Sequence, residues 1–311
     1  MASLARMERI PPIPLETAQA ARTALQSDDH VALFMELGDA LGEIFAPVEV
    51  VKLACIADDV APHVLAIATI LQCLEGLSDV GVAETMRARA GWQYALRIGA
   101  GDALPDAAAL RAFRVHLLED RNAARAFDVL LARLAASPAG RDLAPLPSST
   151  AALVDAVQTV NLLAVALRGM RLAGNALLAN RSADARGVFP AEWRERYLSS
   201  PHWPSLPREL GARESFALAV AADGFVLLEA AQRAFAGSES GPPREVAAMR
   251  RTWEWLFERE GPYVAWRGRP RLPGEEPQRR VTVGLVPHGR VAAHLIAVGG
   301  RRNGEAIRSG P

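Results

Sequence analysis

Apolar residues recur at helical spacing along most of this chain, and strand-like alternation begins only at Tyr263. A 3.6-residue repeat keeps one face buried only in a helix, so the pattern predicts a mainly α protein. Helices are expected over HVALFMELGDALGEIF, PHVLAIATILQCLEG, DAAALRAFRVHLLED and RNAARAFDVLLARLAAS. Pro62 suits the first turn of the second of these. Gly76 can close it, Ser78 can cap the next helix, and Asp79 stands at that helix's positive end. This next helix is expected to reach about Arg89; Trp92, Tyr94 and Leu96 follow as packing residues, before a break at Gly99-Ala100-Gly101.

Residues 1–137 thus read as one helical domain. The segment PAGRDLAPLPSST is a linker or a degraded strand, and the helical pattern resumes from Thr150 to Leu178. Loops are expected around Pro190 and Pro201 to Pro207, then helices over ARESFALAVAADGFVLLEAAQRAF and PREVAAMRRTWEWLF. The β content is confined to YVAWRG and a small C-terminal hairpin of RRVTVGLV and RVAAHLIAV, joined at Pro287-His288-Gly289. Residues 138–298 form a second region and 299–311 a flexible basic tail.

The formal net charge is +0, but nine arginines against three glutamates from Arg267 onward make that end a surface for an acidic partner. Lys52 is the only lysine. The arginine preference accompanies abundant Ala, Gly and Pro, as GC-rich coding produces, and does not by itself signal nucleic acid. Cys55 and Cys73 form no C-x-x-C pair, which leaves disulfide frameworks and thiolate zinc sites unsupported. The N-terminal residues lack the apolar run of a secretory signal. The longest apolar stretch, Val60 to Leu74, is broken by Pro62, His63 and Gln72 and too short to span a bilayer, so a cytoplasmic location without membrane attachment is expected.

His288 and His294 lack further metal ligands at suitable spacing, while His63 and His116 sit in helices as structural or surface residues. Ser148, Ser149 and Thr150 belong to no nucleophile motif, and no phosphate-binding glycine loop follows a strand. The passage CLEGLSDVGVAETMRARAGWQYALRI does permit helix-turn-helix geometry. Arg87 and Arg89, ending its second helix, are placed to reach phosphates; Arg111, Arg114, Arg121 and Arg125 form a second basic cluster, with Phe113 and Leu117 turned to the core.

The wording from Ala61 to Ile98 resembles the N-terminal helical domain of bacterial insertion-sequence transposases of the DDE type. The shared elements are a proline-led helix ending in leucine-glutamine, then Glu-Gly-Leu-Ser-Asp, then Trp-x-Tyr-Ala-Leu. LRAFRVHL, through Phe113 and Arg114, looks like a later Phe-Arg element, and TVNLLAVALRGMR resembles the helix after the first catalytic strand. EWRERY, AADGFVLLEA and EVAAMRRTWEWLFEREGPYVAWRG are similar to the family's insertion.

The resemblance implies that 138–298 is a degenerate, incomplete α+β remnant of a ribonuclease-H-like domain. Intact members bind Mg²⁺ through three acidic residues, because two-metal strand transfer needs several converging carboxylates. Here proline or leucine holds the first acidic position; Asp142 is an out-of-register candidate, Asp155 is no better placed, and the later acids have no counterpart. The expected protein is therefore transposase-like, truncated, and catalytically inactive by itself, with no cofactor of its own. It is expected to bind double-stranded DNA, the terminal repeat of an element, as a homodimer or with a full-length transposase. Two alternatives remain open: a helical interaction module or relic that does not bind DNA, and metal-dependent strand transfer with acids supplied by another chain.

Overall fold

Capping and burial decide where the predicted helices begin and end. The computed structural model of the protein describes residues 10–26, 30–45, 52–54, 60–143, 146–180, 186–198, 206–207, 210–239, 241–260, 263–267 and 282–284. The chain divides into two units, Met1–Ala164 with His202–Leu210, and Val165–Pro201 with Gly211–Pro311.

The first unit contains α1 (Leu15–Leu25), α2 (His30–Ile44), α3 (Pro62–Glu75), α4 (Asp79–Ala88), α5 (Ala90–Leu96), α6 (Ala107–Glu119), α7 (Arg121–Ala136), α8 (Pro138–Asp142) and the start of α9 (Thr150–Leu178). Every residue of α3 from Pro62 to Leu74 is buried, so α3 is the central rod of the unit rather than an amphipathic surface helix. Leu37 and Leu41 of α2, Met86 of α4, Trp92 of α5, Phe113 of α6 and Phe127 of α7 share one apolar core with it. Helix α1, which periodicity does not announce, buries Thr17, Ala18 and Ala21, and the Thr17 hydroxyl donates to the Ile98 carbonyl at 2.8 Å. Its small buried residues and the exposed Leu15 give only a weak apolar stripe.

The expected linker at Pro138 instead opens as a short helix, because the Ser137 side chain accepts from Gly140 N–H and proline takes the first turn. No strand precedes α9 among the described residues. Helix α9 starts at Thr150: the Ser149 hydroxyl caps it by accepting from Ala152 N–H at 3.3 Å, and Asp128 Oδ1 of α7 accepts from Thr150 N–H at 2.7 Å. The Trp-x-Tyr-Ala-Leu segment is helical, with Trp92, Tyr94 and Leu96 all buried.

The second unit contains the rest of α9, α10 (Ala191–Leu198), α11 (Leu210–Ala234), α12 (Arg244–Leu256) and strands β1 (Phe257–Glu260), β2 (Tyr263–Trp266) and β3 (Thr282–Gly284). The strands form an antiparallel sheet in the order β1-β2-β3, with Phe257 opposite Trp266 and Tyr263 opposite Gly284. Phe257 therefore starts a strand instead of ending a helix, a correction to the sequence-based expectation. It turns extended so that its ring can sit between Trp253, at 5.3 Å, and Trp266, at 5.0 Å. Of the hairpin expected around Pro287-His288-Gly289, Thr282–Gly284 of the first arm is a strand and pairs with β2; the turn, the second arm with His294 and the 299–311 tail lie outside the described residues. Helix α10 lies between the loops expected around Pro190 and Pro201 to Pro207, in a stretch given no element from the sequence; Phe189, Trp193 and Tyr197 form an edge-to-face ladder along it.

Two helices, α9 and Ser215–Ala234 of α11, are long and apolar enough to cross a membrane by length and composition, with mean hydropathies of 1.6 and 1.4. Both are longer than Val60–Leu74, the stretch too short to span a bilayer, and 56% of each apolar window is buried inside the protein. Packing within the protein accounts for much of that apolarity.

Trp253 packs where α11 has no side chain. A Cβ on Gly224 would lie 2.1 Å from the Trp253 ring, and the indole N–H donates to the Ala221 carbonyl at 3.0 Å. Gly224→Ala is expected to destabilise the second unit by about 1–3 kcal/mol, the usual range for overpacking. Gly42→Ala, where a Cβ would meet nothing within 4 Å, should instead stabilise by roughly 0.5–1 kcal/mol. Urea denaturation of both variants measures the contrast.

Candidate nucleic-acid interface

The turn between α3 and α4 is built to present Asp79. Gly76 takes the left-handed conformation, φ 66°, and its N–H bonds the Gln72 carbonyl. The Ser78 hydroxyl then accepts from Gly81 N–H at 3.2 Å, and the two helix axes meet at 105°. This is within the range of a helix-turn-helix.

Asp79 is buried, and its carboxylate is fully engaged. Oδ1 accepts from Gln72 Nε2 at 2.7 Å and from Asn161 Nδ2 at 3.0 Å, while Oδ2 accepts from Arg114 Nη2 at 2.7 Å. Arg114 Nη1 also donates to Gln72 Oε1 at 3.3 Å, and Asp79 N–H donates to Asn161 Oδ1 at 2.8 Å. One closed polar network thus joins α3, α4, α6 and α9 inside an apolar unit. Arg114, grouped in the sequence with the exposed arginines, is only 4% exposed and belongs to this network. That is a correction: its guanidinium is committed to Asp79 and does not face solvent.

The other expected contact residues separate into two kinds. Arg89 donates to Glu75 at 2.6 Å and lies 5.3 Å above the Phe34 ring, so it ties α3 and α2 to the start of α5. Arg87 is exposed and bonds back to the Ala83 carbonyl of its own helix. Arg111, Arg121 and Arg125 are exposed, with no ion pair among the described residues. Arg87, Arg111, Arg121 and Arg125 are thus the exposed cations of the set. Sequence reasoning missed Gln72 and Asn161, although both stand in shared elements, leucine-glutamine and TVNLL. The usable signal was a polar residue on an otherwise apolar helix face.

No group of three or more His, Cys, Asp or Glu able to hold a metal occurs among the described residues. Asp142 ends α8, and its side chain lies outside the described set. In the second unit Asp223 accepts from Tyr197 Oη and Arg196 Nη1, both at 2.6 Å, and burial raises its pKa. This contact latches α10 to α11.

Residues 57–116 match a family described as a transposase domain (DUF772). The matched span runs from before α3 into α6, and so contains the Gly76 turn, Asp79, Arg87, Arg89, Arg111 and Arg114. No curated protein and no solved structure matches the chain.

Two expectations follow from this geometry. Removing Arg114 alone leaves a buried carboxylate without its cation, so Arg114→Ala is expected to cost about 3–5 kcal/mol. The double variant with Asp79→Ala should cost less than the sum of the singles, by about 0.5–3 kcal/mol in a urea double-mutant cycle. His63 is buried and hydrogen-bonded to the Leu96 backbone; burial, aided by nearby Arg97, pulls its pKa down to about 4. The neutral imidazole's contribution is complete above pH 6.5 and is lost as pH falls toward 4, by about 3 kcal/mol. His63→Gln should flatten that part of a stability-versus-pH curve.

Proposed function

We propose that the first unit is a duplex-DNA-binding module serving transposition. The observation that carries this reading is the transposase-domain match falling on the stretch folded around Asp79. The 105° helix pair and the outward cations Arg87, Arg111, Arg121 and Arg125 support it. Phosphate contacts from such residues give affinity that falls steeply with salt, without requiring base readout.

The kinship to DDE-type insertion-sequence enzymes rests on the sequence resemblance. On that basis 138–298 is the counterpart of a catalytic region without its metal-binding acids, and the module acts as a binder rather than a cutter. Mg²⁺-dependent strand transfer with carboxylates supplied by another chain is the alternative reading. The terminal repeat of a mobile element is the proposed target, and a homodimer or a mixed oligomer with an intact transposase the proposed assembly.

The test uses a mobility shift on a 30-base-pair duplex titrated with salt. The triple variant Arg87→Ala, Arg111→Ala, Arg121→Ala should bind more weakly, with a salt slope reduced by roughly 0.9 for each phosphate no longer neutralised. Arg89→Ala serves as the comparison, because it breaks the interaction with Glu75 and Phe34 and should act mainly on thermal stability. Unchanged binding by a folded triple variant would overturn the assigned surface.

A further inference from the structure

The second unit carries an open groove of about 380 Å³ between the later part of α9 and α12. On α9 its wall is formed by Val165 and Leu172, 45% and 46% exposed, with Arg168 between them. Seven residues is two helical turns, so the two aliphatic side chains stand on one face roughly 10 Å apart. On α12 the opposite edge bears Arg244 and Arg251, again seven apart. The lining acid, Glu245, is already bonded to Arg244 at 2.9 Å. Arg168 and Arg251 have no ion pair among the described residues.

We propose that this groove docks an amphipathic helix of a partner protein, with aliphatic anchors on one face and carboxylates along its flanks. Exposed aliphatic residues two turns apart match the i, i+3/i+4, i+7 anchors by which such helices lie in grooves. The basic edges select the sign of the flanks: Arg244 and Glu245 neutralise each other, and the remaining two arginines, Arg168 and Arg251, favour acidic side chains. Nucleic acid fits less well, since no aromatic ring lines the groove to stack a base. This inference is independent of DNA binding by the first unit.

The full chain is titrated into a fluorescein-labelled 16-residue helical peptide with leucine at i, i+4, i+7 and i+11 and glutamate on its flanks. Saturable anisotropy is expected, weakened at least tenfold by Leu172→Glu and by Arg168→Glu, and absent for the same peptide with lysine in place of glutamate. Both positions are exposed; Arg251→Glu provides a second charge reversal on the other edge should either variant melt early. The proposal is overturned if the acidic peptide does not saturate, or if folded variants bind it unchanged. It is also overturned if a twenty-nucleotide oligo-dT displaces the peptide and loses its own binding in the same variants. Loss of duplex binding in the Arg87, Arg111, Arg121 variant with peptide binding intact would leave this proposal standing and support the DNA reading separately.

Discussion

Taking a carboxylate and a guanidinium out of water costs several kcal/mol per ion, and the Asp79–Arg114 pair sits inside an otherwise apolar unit. What makes the site tolerable is completeness: Gln72 and Asn161 fill the hydrogen-bonding positions that Arg114 leaves open. The four residues come from four helices, so the network is satisfied in only one arrangement of α3, α4, α6 and α9. An apolar core tolerates many rearrangements of similar volume; a buried charge pair with defined partners does not. The angle between α3 and α4, and hence the outward direction of Arg87, follows from this constraint together with the Gly76 turn.

That arrangement also brings together segments whose wording resembles transposases. Leucine-glutamine, Glu-Gly-Leu-Ser-Asp, Phe-Arg and the TVNLL helix look like separate phrases in the sequence. Their polar members, Gln72, Asp79, Arg114 and Asn161, meet in one network. The same network accounts for the removal of Arg114 from the set of surface cations. Affinity for a polyanion, in the proposed reading, rests with side chains that the network positions but does not include.

The two units use different means to fix their helices. The first relies on the polar network and on Arg97, which takes φ 54° while its guanidinium donates to the Gly38 and Pro11 carbonyls. The second relies on interlocking bulk: Trp253 fills the space left by Gly224, and Phe257 continues that aromatic stack into the sheet. Its charged interior contact, Asp223 with Tyr197 and Arg196, secures α10. Open apolar surface remains along Val165 and Leu172, flanked by arginine, and this is the surface assigned to a partner helix.

The sequence by itself determined the helical class, the limits of α9 at Thr150 and Leu178, and the glycine turn with its Ser78 cap, because periodicity and capping are local properties. It also placed Trp92, Tyr94, Phe113 and Leu117 inside, since large apolar residues at helical spacing have few alternatives. Helices α1 and α10 escaped it, as weak stripes and neighbouring prolines conceal helices that tertiary contacts stabilise. The switch from α12 to β1 at Phe257 was decided by aromatic partners, one of them across the sheet on β2. The tertiary structure alone separated the arginines, making Arg114 a buried counter-ion and Arg89 a brace while leaving Arg87, Arg111 and Arg121 exposed. Charge is written in the residue, but whether it meets solvent or a carboxylate depends on what the other helices bring to it.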